Sequence, residues 1–167
     1  MVCFNKVNDM KAAFLMVSLA IFAGPAIAAG THAGGHGEYM AGEPGALSEV
    51  NRSIEIEMRE TDDGEMIFQP AAISVRAGET IRFIIKNAGE LEHEFVVDHH
   101  DKMMEHKELM QRFPEMEHDD PNAIRLSSAS SGEIIWKFSN TGNFEFGCLL
   151  PGHYEAGMKG SILVAAH

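Results

Sequence analysis

The stretch Gly147-Cys148-Leu149-Leu150-Pro151-Gly152-His153-Tyr154-Glu155-Ala156-Gly157-Met158 places a thiol, an imidazole and a thioether at intervals of five residues. On one loop, these donors suit copper in either oxidation state; zinc would have no need of the methionine. The arrangement that uses them has two His and one Cys in a trigonal plane with a weak, long axial Met, so a second His must come from elsewhere. His93 is the candidate. It follows the polar break Asn87-Ala88-Gly89-Glu90 and opens the apolar run Phe95-Val96-Val97, which places it at the end of a strand.

Taken singly, Cys148 fits an ordinary buried thiol, Met158 a core filler, and His93 or His153 a satisfied polar residue. Together, at this spacing and between two alternating strands, they read as a metal site. The pattern of one upstream His followed by Cys, His and Met on a single loop resembles the cupredoxin (type 1 blue copper) family, over about residues 52 to 165. The four-residue gaps on both sides of His153 are similar to those of rusticyanin. Glu92 to Phe95 and Phe113 to Asn122 resemble periplasmic cupredoxins linked to copper tolerance. The resemblance implies one type 1 copper held by His93, Cys148, His153 and Met158. It also marks a departure: several small carriers place Asn or Ser beside the first ligand His, where this chain has Glu94, so their potential does not carry over.

The strand pattern agrees. Ile54, Ile56 and Met58 alternate with Glu55, Glu57 and Arg59 before a turn at Asp62-Asp63-Gly64. Met66 and Phe68, then Ile73 and Val75, form an extended region broken at Pro70. Ile81, Phe83 and Ile85 alternate again, as do Ile134, Trp136 and Phe138, then Phe144, Phe146 and Cys148, and finally Ile162 and Val164. Seven or eight short strands with Gly-containing turns and no helix-strand alternation predict an all-β fold, an antiparallel Greek-key β-sandwich. One short helical insertion interrupts it. Asp101 is expected to cap a helix from about Lys102 to Arg112, stopped by Pro114.

That insertion, residues 99–118, carries His99, His100, Met103, Met104, His106, Met110, Met116 and His118. Met103, His106 and Met110 are spaced to share a helix face. Two readings stand: an amphipathic helix packed across the sandwich with Met as flexible filler, or an auxiliary copper site, since thioethers select Cu(I) and imidazoles take either state. Asp119, Asp120, Pro121 and Asn122 then form an acidic turn.

Residues 1–28 read as a cleaved secretory signal, with Lys6 and Lys11 as the basic region, Ala12 to Phe22 as the apolar core and Ala26-Ile27-Ala28 as the cleavage site. The apolar run is short and meets Gly24-Pro25, so a stable membrane span is not expected. A periplasmic protein is. Removing the segment takes 28 of 167 residues and leaves 139, enough for one domain with a real core. It also removes Cys3, so Cys148 would be alone in a compartment where paired cysteines oxidise. Ligation to a metal explains an unpaired exported thiol. Residues 29–50, with six glycines, His32 and His36, read as a flexible tail, either an inert linker or a copper-collecting arm. Cleavage after Ala29 instead of Ala28 would make His32 the third residue and allow an amine, two amides and an imidazole to bind Cu(II). Residues 51–167 form the domain.

The net charge of −12 excludes nucleic acid as a partner and favours copper ions and a basic redox protein such as a cytochrome or an oxidase. Two roles fit: periplasmic copper handling and tolerance, or mobile one-electron transfer, with Leu149, Leu150, Pro151 and Gly152 as an apolar docking patch around His153. An enzyme is not expected. By comparison with the related enzymes, copper nitrite reductases carry a His beside the Cys where this chain has Gly147. Multicopper oxidases need further paired histidines, and a binuclear oxidase copper centre needs two loop cysteines.

Overall fold

A computed structural model of the chain describes residues 39–113 and 120–167. The secretory signal, His32, His36, Met116 and His118 lie outside the described residues. Ten strands form two sheets of five, with orders β1-β8-β5-β2-β3 and β4-β10-β9-β6-β7. In the first sheet these are β1 (Glu43–Pro44), β2 (Arg52–Glu60), β3 (Met66–Gln69), β5 (Thr80–Asn87) and β8 (Ser131–Lys137). The second holds β4 (Ala72–Arg76), β6 (His93–Asp98), β7 (Ala123–Leu126), β9 (Gly142–Gly147) and β10 (Lys159–Ala165). From β3 onward, only β6–β7 and β9–β10 follow one another within a sheet, and the other connections carry the chain across.

The fold is the expected β-sandwich with one helix, with two differences in detail. Two strands exceed the expectation: β1, a two-residue strand in the segment read as a tail, and β7, which lacks a clear alternation. Two pairs, β2–β5 and β4–β10, run parallel, not antiparallel.

Alternation fixes what faces inward. Ile56 and Met58 from β2, Ile81, Phe83 and Ile85 from β5, Ile134 and Trp136 from β8, and Phe144 and Phe146 from β9 are all buried between the sheets. Their aromatic rings meet edge-on or tilted, Phe68 with Phe146 at 5.1 Å and Phe83 with Phe95 at 5.4 Å between centroids. Each fully buried ring stabilises the fold by roughly 1.5–3 kcal/mol.

The tail reading of residues 29–50 fails over its second half. Tyr39 stands edge-on to Trp136 at 5.2 Å, Ala41 is fully buried, and Glu43–Pro44 pair with Lys137 and Trp136. The cause is the apolar face of Trp136, which Tyr39 covers, and the core that Ala41 joins; glycine content alone conceals both.

The helix, α1 (His100–Arg112), begins two residues earlier than expected. Asp101 sits in its first turn and His99 holds the cap position, while the Asp98 carboxylate accepts the His99 N–H at 2.7 Å. Met103 and Met110 are fully buried and pack with Val96, Leu149 and Tyr154. This explains why all six residues of β6 are buried: Phe95 and Val97 face the main core, and Val96 faces the helix. Asn122, in the turn after the helix, donates from Nδ2 to the Val97 carbonyl at 2.9 Å and accepts the Val97 N–H on its own carbonyl at 3.0 Å, tying the insertion back to β6.

Candidate metal centre

The site is built where β6 begins and β9 ends. His93 is the first residue of β6 and is fully buried; Cys148 follows the last residue of β9 and is also fully buried. The loop from Cys148 returns to β10 through a series of turns: His153 N–H to Leu150 O, Ala156 N–H to Gly152 O, and Gly157 N–H to Tyr154 O. Gly152 and Gly157, with φ of 87° and 101°, supply the left-handed conformations that this winding needs. The Cys148 N–H donates to the Met158 carbonyl at 3.0 Å, and the Met158 N–H to the His153 carbonyl at 3.1 Å. These bonds close the loop on itself.

Three of the four expected donors converge. His93 Nδ1 lies 3.2 Å from His153 Nδ1, which is 3.4 Å from Cys148 Sγ, and all three ligand atoms fall within 4.8 Å of one another. Met158, the fourth, is fully buried in the core beside Cys148 and joined to it by the backbone pairing. Among the described residues, no other group of three His, Cys or acidic side chains is brought together in this way. On the helix, Met103 and Met110 pack against Leu149 and Tyr154, as the flexible-filler reading expects.

The electrostatics suit a cation. Burial pushes the Cys148 thiol up to about 12, partly offset by N–H groups of Glu94 and Leu150. The Glu94 N–H reaches Sγ at 3.3 Å. Without a cation the sulfur therefore keeps its proton, and a metal that binds it as thiolate releases that proton. Burial and the neighbouring His93 hold the His153 imidazole below its usual value, so it stays neutral and can donate its lone pair. A soft sulfur and two imidazoles that converge, with a buried thioether at the end of the same loop, fit copper.

Sequence reasoning missed Glu60. Its Oε1 accepts from His93 Nε2 at 2.8 Å and from the Leu91 N–H at 3.0 Å, and its Oε2 accepts from the Glu90 N–H at 2.9 Å. Partial burial raises its pKa, but the hydrogen bonds outweigh that and bring it down to about 2. The signal was present: the period of two in β2 puts Glu60 on the face of Ile56 and Met58, a charged residue in an apolar series.

Glu94, the departure noted in the sequence, is buried with one carboxylate oxygen, Oε2, lacking a hydrogen-bond partner among the described residues. Burial raises its pKa, opposed by Arg125 across the β6–β7 pair. The expected apolar patch also changes. Leu149 is fully buried beneath the helix, leaving Leu150 half-buried and Pro151 and Gly152 exposed.

The sequence model for copper binding proteins of the plastocyanin/azurin family matches residues 55–165. The chain belongs to this family. Among its cupredoxin relatives, the copper-resistant cuproprotein CopI of Rubrivivax gelatinosus is 43% identical over 136 residues, which is 80% of each chain. The protein of the same name from Pseudomonas aeruginosa is 34% identical, over 77% of this chain and 84% of its own. The fold is similar to that of dithionite-reduced auracyanin from the photosynthetic bacterium Roseiflexus castenholzii, with a TM-score of 0.59 and 24% identity over 70% of this chain and 98% of auracyanin. As a cupredoxin, the chain binds copper at a type 1 site.

Proposed function

We propose that His93, Cys148, His153 and Met158 hold this copper, and that the protein acts in the periplasm to bind copper and help the cell tolerate its excess. The convergence of His93 Nδ1, His153 Nδ1 and Cys148 Sγ within 4.8 Å carries the site assignment. The copper-resistance role is supported by relatives bearing that description over four-fifths of both chains. Bound copper supplies a one-electron couple between its two oxidation states. The residues contribute two buried ligands fixed at strand ends, His93 and Cys148. They also supply a loop whose backbone bonds hold sulfur and imidazole in place through the redox change. Among the described residues no helix is long and apolar enough to cross a membrane.

We assign no catalytic role. Gly147 precedes Cys148, so no His side chain leads from the thiolate strand to a second copper. A second reading, a mobile electron carrier, is favoured by the exposed Pro151 beside half-buried His153 and by Leu91, 46% exposed two residues before His93. On this reading the net charge of −12 would attract a basic partner.

The test is titration of the purified protein with Cu(I) and Cu(II) while following visible absorption. One type 1 equivalent with an intense thiolate band, lost entirely in Cys148→Ala, is expected together with further tight Cu(I) equivalents. An unchanged spectrum in that variant would overturn the site. Further tight Cu(I) equivalents in the wild type favour copper handling, and a strict single equivalent favours the carrier.

A further inference from the structure

Glu60 ends β2 on its inward side, where a charged group is costly unless paired. Three N–H donors converge on it. The His93 Nε2 contact at 2.8 Å and the Leu91 N–H at 3.0 Å share Oε1, and the Glu90 N–H takes Oε2 at 2.9 Å. The turn is shaped to admit the carboxylate: a Cβ on Gly89 would stand 2.3 Å from Oε2. An ionised carboxylate can only accept, so the His93 proton is placed on Nε2. His93 Nδ1 is then left with its lone pair, 3.2 Å from His153 Nδ1 and on the side of the ring where the thiolate candidate converges.

We infer that Glu60 is a positioning residue for the copper centre, holding the His93 ring in the Nδ1-free tautomer and lowering the reduction potential of bound copper through a fixed negative charge one imidazole away. The inference rests on the copper-site reading proposed above. Its physical basis is twofold. A carboxylate behind a ligating imidazole makes the ring a better donor. A negative charge in a partly desolvated setting also favours the more positive, oxidised state of the metal.

Two variants separate these effects. Glu60→Gln keeps an oxygen that can accept from His93 but removes the charge, and turns an amide N–H₂ toward the Glu90 N–H. Glu60→Ala removes the hydrogen bond as well. Copper affinities in both oxidation states and the ring nitrogen NMR signals of His93 in copper-free protein are measured for wild type and both variants. In Glu60→Gln the visible band is expected to persist, with the preference for Cu(II) over Cu(I) reduced about tenfold, a rise of about 59 mV in the one-electron potential. In copper-free Glu60→Ala, His93 is expected to pass from one tautomer to a mixture. Wild-type potentials in both variants, or an unmixed tautomer in Glu60→Ala, would overturn the inference. Failure of the wild type to develop a thiolate band would instead overturn the copper-site reading. The copper-free NMR comparison would still decide whether Glu60 orients His93.

Discussion

Cys148 shows how a single position is specified by surroundings remote in sequence. Its thiol lies on the inward face of a strand end, held near 12 by burial, with the Glu94 N–H aimed at its sulfur from the neighbouring strand. Met158 closes the same loop from its other end. In the proposed ligand set the Met158 thioether would be the weakest donor, and its loss should leave the metal in place. Met158→Leu is expected to keep one bound copper and an intense visible band while raising the potential, since removing a donor disfavours the higher charge state; voltammetry checks this. At this scale the sequence was informative wherever donors share a loop: the spacing of Cys148, His153 and Met158 is visible without coordinates. Glu60 shows there only as a charge in an apolar series; its pairing with His93 does not, because the two are 33 positions apart and the turn that brings them together depends on Gly89.

At the scale of elements, α1 and the ligand loop form one packed unit. The Met103 methyl comes within 2.9 Å, and the Tyr154 ring within 3.2 Å, of where a Cβ on Gly147 would lie. The Tyr154 hydroxyl donates to Glu145 Oε2 at 2.9 Å, while Lys107 and Lys159 stand 5.2 and 4.8 Å from the ring centroid. Lys107 also pairs with Glu155. The helix therefore braces the residues on either side of His153. Met103→Ala should cost about 2–5 kcal/mol of stability through the cavity it opens, and Met103→Leu less than about 1.5 kcal/mol. Denaturant unfolding measures both, and unchanged copper stoichiometry in Met103→Leu is expected of a packing residue. The helix itself was legible from the spacing of Met103, His106 and Met110. Its packing partners were not, because methionine suits both a soft metal and an irregular gap, and the contact with Leu149 and Tyr154 is visible only in the fold. The start was misplaced because Asp101 looks like a cap, whereas the Asp98 side chain already bonds the N–H of His99.

For the whole molecule, alternation along β2, β5, β8 and β9 revealed the sandwich, but two devices escaped it. Parallel pairing of β2 with β5 and β4 with β10 leaves no mark on a strand's own pattern. The glycine content of residues 29–50 masked Tyr39, which packs on Trp136, and Ala41, which is buried in the same core.

Stability should also follow the titration of carboxylates across the fold. Glu60 and Glu79 have folded pKa values below the ordinary 4.5. Burial raises the pKa of Glu79, and bonds from the Arg76 N–H and the Arg52 side chain outweigh it. Such groups bind fewer protons folded than unfolded, so their stabilisation is complete above about 4.5 and falls away as the pH drops toward the folded value, about 2 for Glu60. Asp98 has the opposite sign: burial raises it above the ordinary 3.8, so the folded state gains on protonation as the pH falls through its folded value. The copper-free protein is therefore expected to lose the stabilisation from Glu60 and Glu79 as the pH falls below about 4.5, measurable by thermal unfolding across pH.

The placement of β10 between β4 and β9 has a consequence for biosynthesis. Until the last seven-residue strand, Lys159–Ala165, is available, β4 has no neighbour in its sheet, and the loop from Cys148 to Met158 has no second anchor. A chain that crossed a membrane unfolded and amino-terminus first would thus close this loop only after β10 had crossed, and would take up its copper on the far side.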